Sequence, residues 1–271
     1  MHMDDIIEIK PGLGPVRINV RALLRSFARE KNNLGATKVA KRFLQLFEAH
    51  GVAVSQIQHF LPEVTLDKIH SPNRLLESLT NKVLDQAADL FQVRRSWLDG
   101  VDKQIYEFRS CYKAPQRFFR DLEELGECEG IQIPIRALCT KCPLDFNSNR
   151  YQPLVIVLVQ KLRELGDVNV ERYHVYTDGL DWSHAGCRIQ IKAMVRLVNE
   201  RLHWPVPLYV VTMRQLEQLN RGELVPRNLL RGPLVTEPSL EDYSMASNES
   251  AVAKECEEVP DVLEYIAARK L

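Results

Sequence analysis

Apolar residues recur at three- and four-residue spacing through the first hundred positions, and at alternating or continuous spacing from about residue 130 onward. The pattern predicts a helical part followed by a part that mixes strands and helices. "DIIEIKPGLGPVRINV" opens with two short alternating segments around a Pro-Gly turn, which predicts a hairpin or an extended arm. A helix follows with Leu23, Leu24, Phe27 and Ala28 on one face and arginines on the other. The next helix is expected from about Thr37, with Val39, Ala40, Phe43, Leu44 and Phe47 inward, and ends at Gly51. "VSQIQHFLP" reads as a short helix and "TLDKIH" as a shorter one, limited by Pro62 and Pro72 because a proline nitrogen cannot continue the hydrogen-bond ladder. Val83, Leu84, Ala87, Ala88 and Phe91 form one more stripe, followed by Arg94, Arg95, Trp97 and Leu98.

The second half has a different texture. "GIQIPIRALCTK" alternates, and "PLVIVLV" is a continuous β-branched run. Both predict strands, the latter buried on both faces, with a buried helix running to Leu165 as the alternative. "VNVERYHVY" alternates after a turn at Gly166 and Asp167 and suggests a hairpin partner. Ile191, Met194, Val195, Val198 and Leu202 make a helical stripe between Cys187 and Leu202, "PVPLYVV" reads as a strand and "MRQLEQLN" as a helix. After Pro233 a Ser-rich acidic stretch reads as a linker or tail. "PDVLEYIAARKL" closes the chain as a helix, its acidic residues early and its basic ones late, as the helix dipole favours. Its apolar face of Val262, Leu263, Ile266 and Ala267 is expected to dock on its own domain. The expected fold class is α+β in two domains: a helical domain over 1–110, a small α/β domain over 111–233, and a linker with a terminal helix over 234–271.

Composition narrows the class of protein. With 271 residues, 45% hydrophobic and 27% charged, the chain is long enough for two cores. No run has the roughly 20 apolar residues that cross a bilayer, so a cytoplasmic protein is expected. Six cysteines at irregular spacing point to reduced thiols rather than a disulfide scaffold. Net charge is zero, yet eight basic residues stand against two acidic ones between Gly14 and His50, and nine acidic against three basic between Val235 and Leu271. A polyanion would meet the N-terminal part first.

The order of elements from Val39 to Gly100 carries a resemblance. A long helix ending in "HGV", the short helix "VSQIQHFL", the turn "PEVT", the helix "LDKIH", and then "LDQAADLFQVRRSWLDG" together resemble the helix-turn-helix domain of lambda-repressor-type (Xre-type) regulators. The resemblance implies that the helix beginning at Thr65 enters the major groove of DNA. It would present Thr65, Asp67, Lys68, His70, Asn73 and Arg74, with Leu66 and Ile69 toward the core. Arg21, Arg25, Lys38, Lys41 and Arg42 are the candidate phosphate contacts. The chain departs from the family at His59 and Phe60, where a small residue is usual, and at Pro62, where the turn usually holds glycine. These departures sustain an alternative, a protein-binding adaptor built on the same bundle.

Two stretches of the second half bear on chemistry. "CTKC", Cys139 to Cys142, has the spacing of a half zinc site or a redox pair, but no second pair completes it, so no metal or cofactor is expected. "YHVYTDGLDWSHAGCR" is the densest polar-aromatic stretch, and Tyr173, Tyr176, Asp178, Asp181, Trp182, His184 and Arg188 form the expected small-molecule pocket. Ser183 reads as a helix N-cap. Catalysis by this loop is the lesser reading, since the chain carries no nucleophile elbow, phosphate loop, dinucleotide fingerprint or HExxH pattern. The sequence thus points to a homodimeric DNA-binding transcriptional regulator whose second domain dimerises, senses a ligand or meets a protein partner.

Overall fold

The computed structural model describes residues 34–127, 133–145, 147–166, 168–235, 239–244 and 258–271. The expected N-terminal arm, the helix around Leu23 to Ala28 and the acidic Ser-rich linker lie outside these residues. The chain mixes helices with one sheet, an α+β composition. Its packing separates two compact units, residues 1–87 and 88–271.

In the first unit, α1 (Leu34–Ala49) places Ala40, Phe43, Leu44, Leu46 and Phe47 at zero exposure, the spacing of one buried helical face. Gly51, at φ +88°, takes the left-handed conformation that stops the helix. "VSQIQH" forms a 3₁₀ turn, Val54–His59, rather than an α-helix. Its leading Ala53 has no side-chain oxygen to cap an α-helix, and Pro62 blocks extension.

The segment Thr65 to Arg74 also differs from its expected form. α2 (Leu66–Ile69) is a single turn, and a separate helix α3 (Pro72–Ser78), absent from the hydrophobic reading, begins three residues later. Pro72 is the cause. It pushes Ser71 into an extended conformation (φ −117°, ψ 119°) and then serves as the first residue of the new helix. Asn73 and Arg74 therefore ride on α3, not on α2. α4 (Asn81–Phe91) buries Val83, Leu84, Ala87, Ala88 and Phe91, the stripe that its spacing predicts.

The division between units falls inside α4, earlier than the boundary near residue 110 that the sequence suggests. Hydrogen bonds explain why the following segment, including the short α5 (Arg95–Leu98), belongs to the second unit. Ile105 N and Tyr106 N both donate to Gly222 O, at 2.7 and 3.2 Å, and Thr177 N donates to Arg109 O at 2.9 Å. Gly222 is required there: its φ is +65°, and a Cβ would lie 3.1 Å from Tyr106 O.

The second unit is built on α6 (Pro115–Glu127), β1 (Ile135–Cys139), β2 (Pro153–Leu165), β3 (Val168–Val175), β4 (Leu180–Asp181), α7 (Ala185–Leu202), β5 (Leu208–Val210), α8 (Met213–Asn220), β6 (Leu234–Val235) and α9 (Val259–Arg269). The sheet order is β3-β2-β1-β5-β6, with β4 pairing the start of β2. β1 runs parallel to β5 and antiparallel to β2, and β2–β3 is the expected hairpin, turning at Gly166 with φ +60°. "PLVIVLV" is thus a strand, and residues 153–160 are buried throughout, as a strand covered on both faces requires. Ile135, Ala137, Leu154, Ile156 and Leu158 pack on Phe118 and Leu122 of α6 and on Ile191, Met194 and Val198 of α7. Successive strand residues alternate between faces, so Arg136, Leu138, Val157 and Val159 point the other way, where α8 packs on β2.

α9 docks on α7 of its own unit, as expected. Val262 is fully buried, but Leu263 is 48% exposed, so the seated face is narrower than the spacing implies. The anchor is ionic: Glu258 accepts from Arg188 and Lys192 at 2.5 and 2.7 Å. Among the described residues no helix is long and apolar enough to cross a membrane.

Candidate functional site

The expected DNA-contacting residues of the first unit occupy its surface unevenly. His70, Asn73, Arg74, Lys38 and Lys41 are exposed, while Thr65, Lys68 and Arg42 are partly covered. Arg21 and Arg25 lie outside the described residues. The local hydrogen bonds assign roles that charge counting misses. The Lys68 ammonium donates to Glu63 O at 2.8 Å, which pins it to the turn. Asp67 accepts from Thr65 Oγ1 at 2.5 Å, and its carboxyl is held below the usual range first by that bond and further by the charges of Arg74 and Lys68. Arg74 stands 4.0 Å from Asp67 with both side chains about two-thirds exposed, at 65% and 67%. Asp67, Lys68, Arg74, Glu77 and Ser78 line an open hollow of about 360 Å³. Ile69 and Leu75 beneath are buried, so α2 and α3 are fixed from below and present their polar side chains outward, while Leu66 is only half-buried.

The loop expected to bind a small molecule proves to be a packing node. Asp178 Oδ2 accepts from the backbone N–H groups of Cys111 and Tyr112, at 2.7 and 2.9 Å. Asp181 Oδ1 accepts from Gln152 N, Ser183 N and Ser183 Oγ. His184, rather than Ser183, caps α7, its Nδ1 accepting from Cys187 N at 3.2 Å. Ser183 is already held by Asp181, so its hydroxyl points away from the helix end. Trp182 is fully buried, edge-on to Tyr243 at 5.2 Å and 5.4 Å from the Lys192 ammonium. Arg188 spends its guanidinium on Glu258 and on Trp182 O, the latter at 2.8 Å.

Tyr173 and Tyr176 do not share a site. Tyr176 OH donates to Asp121 at 2.8 Å within the α6–α7 core, where Arg109 also meets Asp121 at 2.6 Å. Tyr173 OH donates to Glu171 at 2.7 Å. Burial pushes both phenols far up, so each stays a neutral donor. Asp121 and Arg109 escaped the sequence reading because their partners lie on distant segments. The helical stripe of α6 signals only which residues are apolar.

The two cysteines of "CTKC" sit at and beyond the end of β1. Burial, with Cys142 nearby, pushes the Cys139 thiol up to about 12, and burial raises Cys142 as well. Both therefore rest as thiols, the form that neither attacks nor ligates. Among the described residues no group of three His, Cys, Asp or Glu side chains is gathered where it would hold a metal ion. No protein-family model, curated protein or solved structure matches the chain.

Proposed function

We propose that the protein is a DNA-binding regulator whose first unit contacts the duplex and whose second unit pairs two copies. One observation carries the reading. The buried side of α2 and α3 holds Ile69, Leu75 and the self-satisfied Ser78, and the outward side offers His70, Asn73 and Arg74, with Lys38 and Lys41 exposed on α1. Asn and Arg are the side chains suited to bidentate contact with adenine and guanine edges, and lysines to phosphate. Asp67 would repel phosphate if left bare, but it is engaged by Thr65 and neighboured by Arg74. The resemblance to Xre-type domains over Val39 to Gly100 supports the same assignment. Two-fold pairing would double contacts that one half-site reader makes weakly.

The test is selection of duplexes from a random pool by the full chain, followed by affinity against salt. Phosphate contacts release counterions, so the logarithm of affinity falls linearly with the logarithm of salt, at a slope of about −0.9 per contact. A pool that yields no enriched sequence and no salt-dependent retention removes the reading and leaves the adaptor.

A further inference from the structure

Among the described residues, the charged side chains buried in the second unit are, with one exception, held by partners of opposite charge or by hydrogen bonds. The exception is Arg227. It lies in the 3₁₀ turn Pro226–Asn228, is 92% buried by the complement of its 8% exposure, and its Nε and Nη2 have no hydrogen-bond partner among the described residues. An uncompensated buried guanidinium is costly, because it cannot shed its charge as a lysine or histidine would.

The surroundings of Arg227 show what would compensate it. It lines a cavity of about 240 Å³ on the sheet face opposite α6 and α7, together with Arg136 of β1 and Arg231 at the rim. Three guanidiniums converge there against one carboxylate, Glu171, which already accepts from Tyr173 OH at 2.7 Å. The walls therefore carry a net charge of +2. Asn169 and Tyr209 add neutral polar groups, and Pro134, Val159 and Leu230 supply an apolar side.

We propose that this cavity binds a small organic phosphate monoester. A dianionic phosphate matches the net charge of the lining, and arginine is the side chain that recognises phosphate best; Arg136 would meet it beside the bond that its Nη1 gives to Ile135 O at 3.0 Å. The body of the ligand lies against Pro134, Val159 and Leu230. The residues come from β1, β2, β3, β5 and the turn after α8, so no single motif announces the site. The assignment stands on the second unit by itself and does not depend on DNA binding by the first.

Thermal unfolding of the full chain, at ionic strength held constant with chloride, tests it with three probes: inorganic phosphate, glycerol 3-phosphate and succinate. Glycerol 3-phosphate raises the midpoint saturably, inorganic phosphate does so more weakly, and succinate has least effect. Arg227→Met unfolds at a higher temperature than the parent without ligand, because the unpaired charge is gone, and it loses the response to glycerol 3-phosphate. That combination distinguishes a ligand-binding arginine from a structural one, whose loss lowers the midpoint. Arg136→Gln, at a half-buried position on the same wall, reduces the response at least tenfold in apparent affinity and serves if Arg227→Met does not fold. The proposal is overturned by no saturable response of the parent, by an equal response to succinate, or by an undiminished response in the variants.

Discussion

The two units bury different kinds of side chain. Among the described residues of the helical unit the buried ones are aliphatic and aromatic, and the polar exceptions His50 and Ser78 bond to backbone carbonyls one turn earlier, Leu46 O and Leu75 O, each at 2.7 Å. In the sheet-bearing unit Arg188, Lys192, Glu241, Gln190 and His174 are all buried, tied across distances of many residues. Gln190, for instance, joins Lys113 N to Cys111 O, and Glu241 accepts from Val206 N. A local polar bond specifies little, whereas a buried charge held from afar fixes how segments assemble. The helical unit consequently leaves its polar chemistry on the surface, available to a partner, and the other unit spends most of its own internally. The unspent remainder, Arg227 in its arginine-lined cavity, stands out against that background.

The largest effects should come from breaking the interior of each unit in its own way. Phe43→Ala leaves a cavity and should destabilise the helical unit by about 3 to 5 kcal/mol. Glu258→Gln should cost the second unit about 3 kcal/mol, since it strands the buried charges of Arg188 and Lys192. The sharper contrast lies in repair. Lys192→Met added to Glu258→Gln removes one stranded charge and should recover part of the loss, a coupling that urea denaturation of the double-mutant cycle would reveal. Strictly additive losses would mean that the Glu258 cluster is not an ionic lock.

Acid should separate the units next. Burial, aided by the charges of Arg109 and Arg172, lowers His174 from 6.5 to about 3. The unfolded chain takes up a proton at this residue below pH 6.5 and the folded one does not until about pH 3, so stability present above pH 6.5 is lost as pH falls across that window. The slope from this one group is about 1.4 kcal/mol per pH unit. Burial alone would raise the Glu258 carboxyl, but the bonds from Arg188 and Lys192 outweigh it and lower it from 4.5, so its contribution fades only below that pH. His174→Gln should therefore make the decline shallower from pH 6.5 down to about 3, leaving the carboxylate contribution that sets in below 4.5. An unchanged profile in the variant would show that His174 is protonated in the fold.

How much of this was legible depended on whether the cause is local. The stripes of α1 and α4, the both-sided burial of β2, the β2–β3 hairpin and the docking of α9 follow from period and β-branching, which neighbouring residues supply. The split of α2 from α3 was encoded in Ser71-Pro72 but hidden by reading Pro72 only as a stop, when it also starts a helix. The polar residues between Tyr173 and Arg188 looked like a site because they are close in sequence. Period-two alternation sends Tyr173 and Tyr176 to different faces, and the aspartates meet backbone groups on distant segments. The arginine-lined cavity was not readable at all, since its residues are drawn from four strands and a turn.

The smallest change in stability, and the one that bears most directly on function, belongs to the surface of the helical unit. Arg74→Ala removes a side chain that is 65% exposed and only 4.0 Å from an equally exposed Asp67, an ion pair that water and salt largely screen. The unfolding midpoint should not move measurably. Affinity for a selected duplex should nonetheless fall, with discrimination lost at one base position if Arg74 meets a guanine edge. If it meets phosphate instead, every sequence weakens alike and the salt slope flattens by about 0.9. Lys68→Ala is the necessary contrast: its ammonium holds Glu63 O, so that change loosens the turn as well and should lower both midpoint and affinity. Arg74→Ala protein that stays folded and binds the selected duplex with the parent's affinity and slope would shift the reading from DNA to a protein partner.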